Sequence, residues 1–273
     1  MVREGAPRRR MDVSATTSVA QGYTRASTAW RDGPGRIYNR LAEELVSYVR
    51  GAAGGLALDL GAGTGAASAA LLDAGASVVA CDLAEGMLAV DRVRRPPCVA
   101  ADALALSFRD EVFDVVVAAF SLNHITRPDL GLREAARVTK ARGCIVASAY
   151  SENDIHPVKA AADRAARAMG WESPEWQEGL RCDAMPLLAT VERAQGQLRA
   201  AGLCGEVEQR SVAFPDLTVD DLIEWRLGMA HLAPFVGLLT PSRRNALVRR
   251  TRDELGELTE PLVRKFIVIT ARV

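Results

Sequence analysis

The sequence predicts an α/β protein built on a doubly wound sheet, and three observations carry that prediction. From residue 56 onward, short apolar runs alternate with helix-prone segments, the order that gives a sheet with helices on both faces. The run at 113–120 (FDVVVAAF) is strongly apolar without alternation, as expected of a central parallel strand covered on both faces. The first run, LALDL at 56–60, stops at Gly61, Gly63 and Gly65, and an alanine-rich segment follows, so it reads as strand, tight turn, helix. Glycine adopts positive φ without a steric penalty and lets backbone approach a ligand. Such a turn and the helix start behind it are expected to present free N–H groups to an anionic or polar group.

Taken in order, residues 1–18 read as a disordered basic tail carrying Arg3, Arg8, Arg9 and Arg10, and 19–273 as a single domain. No apolar stretch follows those arginines as a secretory signal would require. Tyr23 and Trp30 stand in a small, polar segment, either as a flap over a ligand or as anchors of an N-terminal helix. Pro34 opens a helix in which Ile37, Leu41 and Leu45 recur at helical spacing, and Gly51, Gly54 and Gly55 end it. After the glycine turn come a strand at 77–81 ending at Asp82, a helix at 85–92 and a strand at 98–101 ending at Asp102. The strand at 113–120, an amphipathic helix at 129–140 and a buried strand at 143–150 follow. A helix at 187–201 closes at Gly202, and strands at 206–214 and 264–273 bring the total to seven. Two helical inserts, about 151–186 and 216–262, interrupt the later part and are expected to cap the carboxyl ends of the strands, where ligands bind in such folds. In the second insert, Trp225, Met229 and Phe235 with several leucines either line an apolar acceptor pocket or form a small core of their own.

Composition narrows the function classes. Lys plus Arg and Asp plus Glu are 34 each, which argues against a broad nucleic-acid footprint. A chain that is 49% hydrophobic and 25% charged can bury a sizeable core. Cys81, Cys98, Cys144, Cys182 and Cys204 are scattered without a CxxC pair, which reads as free thiols in a reducing compartment and a cytoplasmic protein. No apolar run approaches the roughly 20 residues that span a bilayer. Arg243, Arg244, Arg249, Arg250 and Arg252 alternate with polar and acidic residues and read as a solvated helix face, or as a receiver of an acidic acceptor.

The glycine turn alone is ambiguous, because Gly61, Gly63 and Ala66 also satisfy the GxGxxA dinucleotide pattern. Asp59 shifts the balance. A carboxylate buried at a strand end needs a cation or a donor, and it would repel a pyrophosphate while tolerating an ammonium group. Asp82, 21 residues after Gly61, can accept hydrogen bonds from two ribose hydroxyls in either ligand class. Asp102 and Ala103 stand where an adenine amino group could donate, although Asp102 could equally cap a following helix.

These residues resemble the class I S-adenosylmethionine-dependent methyltransferases, in particular their small-molecule branch that includes the quinone-biosynthesis type. The resemblance rests on LDLGAGTG, VVACDLAEGML, AADALALSF, FDVVVAAFSLNHI and LREAARVTKARGCIVAS, in that order and spacing, and covers roughly a third of the chain. It implies a Rossmann-like, seven-stranded, mostly parallel sheet and S-adenosylmethionine as cofactor. By the same resemblance Asp59, Gly61, Gly63 and Gly65 would face the methionine portion and its ammonium. Asp82 would hold the ribose, Leu83 and Met87 the adenine side, and Asp102 with Ala103 the adenine edge. Ala118 and Ala119 would offer backbone to the methionine end, and Tyr23 would close the pocket. Two departures stand out: Ala141-Arg142-Gly143 where the family commonly has Pro-Gly-Gly, and Asn123-His124 where it often has two histidines.

Methyl transfer is an in-line displacement in which the protein mainly orients and excludes water, so a catalytic side chain need not exist. If the acceptor needs a base, His124 after the fourth strand is the candidate, with fixing the loop as its alternative role; His156 and His231 lie in the inserts. No carboxylate cluster suggests a metal. The fourth strand lacks the Asn/Asp-Pro-Pro-aromatic run of base-amine methylation, so a small-molecule acceptor is expected and nucleic acid is not. A cyclase or isomerase using the bound sulfonium, an NAD-dependent oxidoreductase and a noncatalytic cofactor-binding regulator stay open, as does a homodimer.

Overall fold

The computed structural model describes residues 13–49, 53–257 and 260–273. Two helices come first, α1 (Val13–Asp32) and α2 (Gly35–Val46). Helix α1 starts inside the stretch expected to be a tail: no Gly or Pro interrupts 13–21, and its far end is tied down by buried Ala26 and Trp30. Residues 1–12 lie outside the described residues.

The sheet and its first helices follow the predicted order: β1 (Leu56–Leu60), α3 (Ala66–Asp73), β2 (Ser77–Asp82), α4 (Glu85–Ala89), β3 (Cys98–Ala100), β4 (Phe113–Ala118), α5 (Pro128–Val138) and β5 (Thr139–Tyr150). Then come α6 (Pro157–Arg167), α7 (Glu175–Gly179), α8 (Val191–Ala200), β6 (Gly205–Phe214), α9 (Val219–Leu227), α10 (Ala233–Gly237), α11 (Pro241–Leu255) and β7 (Leu262–Arg272). The seven strands lie in the order β3-β2-β1-β4-β5-β7-β6. All neighbours pair parallel except β7, which runs antiparallel to both β5 and β6. The chain therefore winds outward in one direction from β1 and in the other from β4, and the crevice between their carboxyl ends is where such sheets take ligands.

Both sheet faces are covered. On one, α2, α3 and α6 pack with the strands through Leu41, Leu45, Leu71 and Ala162; on the other, α5 and α8 do so through Leu132, Val138 and Leu198. Several boundaries are shorter than expected. Helix α4 ends at Ala89, where Asp91 turns to φ 50° and Arg95 doubles back toward the glycine turn. Helix α8 starts at Val191 because the Thr190 side chain caps the Arg193 N–H. Arg142, in place of the family's glycine, holds φ 67° beside the register break between β4 and β5.

No described residue of the two inserts lines the crevice itself. Helices α6, α9 and α11 pack on one another and extend the core beside β6 and β7, burying Trp171 and Trp225. Their reach toward the crevice is indirect: Trp176 of α7 lies against Gly22, and Met229, Ala230 and Ala233 pack under α1. Of the two readings left open for Trp225 and Phe235, packing in a core is the one observed, and the apolar side of the cleft is lined by residues of α1 and α2.

Candidate cofactor and acceptor site

A cleft enclosing about 1120 Å³, its open mouth included, lies over the carboxyl ends of β1, β2 and β4. Its floor is the glycine turn. Gly61, Gly63 and Gly65 have φ of 72°, 51° and 95°, so each sits where other residues are strained. The reason for glycine differs along the turn. A Cβ on Gly61 would lie 2.3 Å from Ser121 Cβ, and one on Gly65 would meet the Arg95 guanidinium at 3.2 Å. At Gly63 only Met87 Cε approaches, at 3.5 Å. Two of the three glycines thus serve close packing within the protein.

The turn's N–H groups, expected to be free for an anionic or polar group, are largely engaged within the protein. The N–H groups of Gly61 and Ala62 donate to the Cys81 carbonyl, at 2.8 and 2.9 Å, and that of Gly65 to the Ala62 carbonyl. The Gly63 N–H donates to Asp82 Oδ2 at 2.7 Å. With these donors engaged and two carboxylates alongside, a pyrophosphate finds little to bind and much to repel it.

Those carboxylates define what fits. Asp59, paired in register with Ala80 and Val117, is fully buried. One oxygen accepts from the Ser68 hydroxyl at 2.6 Å; the other, Oδ1, has no partner. Burial pushes its pKa up to about 6, partly opposed by the Ser68 hydrogen bond and nearby Arg95. A buried, half-satisfied carboxylate in a cleft wall is a seat for a cation. Asp82 accepts from Gly63 and Ala84 N–H groups and is raised by burial, with lone pairs left for hydroxyl donors. Leu83 and Met87 supply an apolar side to the same cleft. Asp102 and Ala103 line it too. The Asp102 carboxylate caps a tight turn through the Leu104 N–H at 2.9 Å rather than a helix, leaving its second oxygen uncommitted.

Ala118 and Gly65 do not line the cleft themselves, and the role expected of Ala118 is a backbone one that its side-chain direction leaves open. Ala118 is fully buried in the opposite core, because side chains alternate along β4. Ala119, Phe120 and Ser121 line the cleft in its stead. Gly65 starts α3 beneath Arg95, away from the cleft wall. Phe120 holds φ 53°, unusual for an aromatic residue, with its N–H on Ser148 Oγ.

Tyr23 and His124 meet across the mouth. The Tyr23 hydroxyl lies 2.8 Å from His124 Nε2, and His124 Nδ1 lies 3.2 Å from the Ser121 carbonyl oxygen. A carbonyl only accepts, so Nδ1 carries the proton and Nε2 accepts from Tyr23. Burial lowers the histidine pKa to about 4, keeping it neutral, and raises that of Tyr23. Trp30 and Trp176 flank the Tyr23 ring at 5.3 and 6.0 Å. His156 and His231 line no part of this cleft. His156 caps α6 through the Val158 N–H, and His231 sits buried beside Trp171.

Sequence reading overlooked Ser68, Arg95, Tyr38 and Ser121. Ser68 was accessible in principle, since it sits on the first turn of α3 facing the strand. Arg95, which donates to the Gly63 and Met87 carbonyls at 2.7 and 2.8 Å, was hidden among Arg92 and Arg94.

The sheet order and the cleft at its strand ends agree with the resemblance to class I S-adenosylmethionine-dependent methyltransferases. Residues 58–147 match the methyltransferase domain family. Beyond it, the chain is 39% identical over 150 residues to a demethylmenaquinone methyltransferase of Clavibacter sepedonicus, and 38% identical over 143 residues to one of Renibacterium salmoninarum. The matches cover 53% and 52% of this chain and 60% and 59% of those relatives. They set the domain beside the quinone-biosynthesis branch. In fold the chain is similar to the [4+2]-cyclase SpnF, with a TM-score of 0.57 at 18% identity, over 94% of this chain and 96% of that one.

Proposed function

We propose that this chain transfers a methyl group from S-adenosylmethionine to a small, partly apolar acceptor. The observation that carries the reading is the buried Asp59 with an unpartnered Oδ1 in the floor of the cleft, beside Asp82. Asp59 would receive the ammonium, Asp82 the ribose hydroxyls, Leu83 and Met87 the adenine face, Asp102 and Ala103 its edge, and the backbone at Ala119 the methionine end. Bound there, the cofactor supplies the electrophilic methyl group. The protein contributes orientation and a dry cavity walled by Tyr23, Trp30 and Tyr38.

His124 is a weak base as it stands, because its Nε2 lone pair already accepts from Tyr23 and burial disfavours its cation. A proton leaving the acceptor would be relayed through the Tyr23 hydroxyl onto His124 Nε2. The relatives' substrate, a demethylmenaquinone, suggests a quinol-like acceptor, and a cleft with apolar helical walls agrees with that class. The balanced charge supports a small molecule rather than nucleic acid, and five free cysteines support a reducing, cytoplasmic setting. None of the helices among the described residues is long and apolar enough to cross a membrane.

Calorimetry with S-adenosylhomocysteine and with NADH tests the cofactor, the first being expected to bind and the second not. Binding of NADH alone overturns the reading. Mass spectrometry of a reduced naphthoquinone incubated with the enzyme and S-adenosylmethionine tests the chemistry. A gain of one methylene unit is expected; conversion at unchanged mass would sink transfer and favour a cyclase or isomerase.

A further inference from the structure

Behind the inner wall of the cleft lies a buried cation that the protein answers only in part. Arg264 of β7 is 2% exposed. Its Nε and Nη2 donate to Asp154 at 3.0 and 2.8 Å. Its guanidinium lies over the Tyr150 ring at 4.0 Å and the Trp225 ring at 4.8 Å. Nη1 has no partner. The indole N–H of Trp225 and Nε2 of His156 have none either, and the Tyr150 hydroxyl has none within hydrogen-bond geometry, its near polar neighbour being the Tyr38 hydroxyl, with which it interacts weakly. Interiors leave few polar atoms unsatisfied, and a charged donor is the costliest to strand.

The local charges point the same way. Asp154 is shared, since it also accepts from Lys159 Nζ at 2.6 Å. Arg226 nearby is answered in full by Asp163 through paired contacts of 2.7 and 2.9 Å. Glu260 faces His156 from an exposed position. Buried Arg264 and half-buried Lys159 therefore share one carboxylate. Burial and Arg264 together depress the Lys159 amine to about 8, as a surplus of positive charge would.

This cluster adjoins the cleft. Phe120, in the cleft wall, stacks on Tyr150 with ring centroids 4.5 Å apart. Tyr38, also in the wall, meets Phe120 and Tyr150 edge-on at 5.8 and 6.2 Å. Tyr38 and Tyr150 are only half-buried. These rings stand at the carboxyl ends of β4 and β5, so one of them turning aside would join the cluster to the cleft.

We propose that Arg264, Tyr150 and Trp225 form an acceptor subsite for an ionised oxygen, that of a phenolate, an enolate or a carboxylate. The inference rests on the methyltransferase reading and narrows its substrate class. One such oxygen answers the surplus charge and takes up the Nη1, hydroxyl and indole donors together. An amine or a hydrocarbon does neither. Asp154 holds the guanidinium in place beforehand, so little ordering remains to be done on binding.

The test uses the full chain saturated with S-adenosylhomocysteine and three probes of one shape: 2-naphthol, 2-naphthoate and 2-methylnaphthalene. Binding is measured by calorimetry at pH 8, and the absorption band of naphtholate reports ionisation of the bound naphthol. At least one oxygen acid is expected to bind tenfold or more tighter than 2-methylnaphthalene; which one separates a phenolate or enolate acceptor from a carboxylate. Tyr150→Phe and Trp225→Phe, which leave the Arg264–Asp154 pair intact, are each expected to erode that preference by about tenfold, with affinity for S-adenosylhomocysteine unchanged. Equal binding of all three probes, or a preference that survives both substitutions, overturns the subsite alone. A chain that does not bind S-adenosylhomocysteine overturns the methyltransferase reading beneath it.

Discussion

Asp59 has its two oxygens in unlike surroundings, one bonded to Ser68 and one bare. Its folded pKa of about 6 lies above the ordinary carboxylate value of 3.8. The ligand-free protein therefore has its full stability with respect to this group below pH 3.8 and loses it as pH rises through 6, on the order of 3 kcal/mol. An ammonium ligand reverses the balance, because it favours the ionised form. S-adenosylhomocysteine is accordingly expected to bind more weakly as pH falls from 7 to 5. Asp59→Asn should flatten that dependence and, without ligand, raise the melting temperature at pH 8; calorimetry and thermal melts check both. Asp82 differs, since it also anchors the Gly63 and Ala84 N–H groups. Asp82→Ala is expected to weaken cofactor binding by about 1–3 kcal/mol and to lower the melting temperature as well, which loss of a ribose contact alone would not do.

Elements set where those residues can act. The turn after β1 and the loop after β4 interlock at Gly61 and Ser121, whose hydroxyl donates to the Leu60 carbonyl at 2.7 Å. Gly61→Ala combines a forbidden contact with an unfavourable φ and should destabilise by about 3 kcal/mol or more in urea unfolding. Gly63→Ala, with Met87 Cε its nearest neighbour, is expected to cost about 1 kcal/mol. Helix α1 closes the mouth through Tyr23 and is braced by Trp176 against Gly22. Trp176→Ala should loosen that brace and speed release of S-adenosylhomocysteine in stopped-flow measurements while leaving the melting temperature nearly unchanged, because α7 contributes little to the main core.

At the scale of the molecule, burial keeps all three histidines neutral, with pKa values below 6.5. Groups depressed in this way contribute stability that is present above pH 6.5 and lost as pH falls, for His124 through about 4. Asp59 and Asp82, both raised by burial, oppose this over part of the same window, two groups against three. The urea midpoint is expected to fall steadily between pH 6.5 and 4, and His124→Gln should lessen the fall.

The doubly wound sheet, its seven strands and the two carboxylates Asp59 and Asp82 were legible in the sequence. Apolar runs, glycine punctuation and strand-end acids are local features, and local features survive in one dimension. Tertiary structure alone decided the rest. That the inserts bury Trp225 in the core and leave the cleft lining to α1, α2 and the strand ends could not be read from their helical and aromatic character. Strand alternation turns the Ala118 side chain to the other face, which leaves its backbone alone for the cofactor role expected of it. The glycine turn is expected from sequence to keep N–H groups free for an anionic or polar group, but those of Gly61, Ala62 and Gly63 go to Cys81 and Asp82, contacts that exist only once β1 and β2 lie side by side. Arg264 and Asp154 are 110 residues apart, and nothing in either neighbourhood announces the pair. Chain pattern determines which segments become strands and helices, because that choice depends on near neighbours. Which donors remain unpaired, and hence what the site can bind, depends on groups far apart in the chain that meet only in the folded protein.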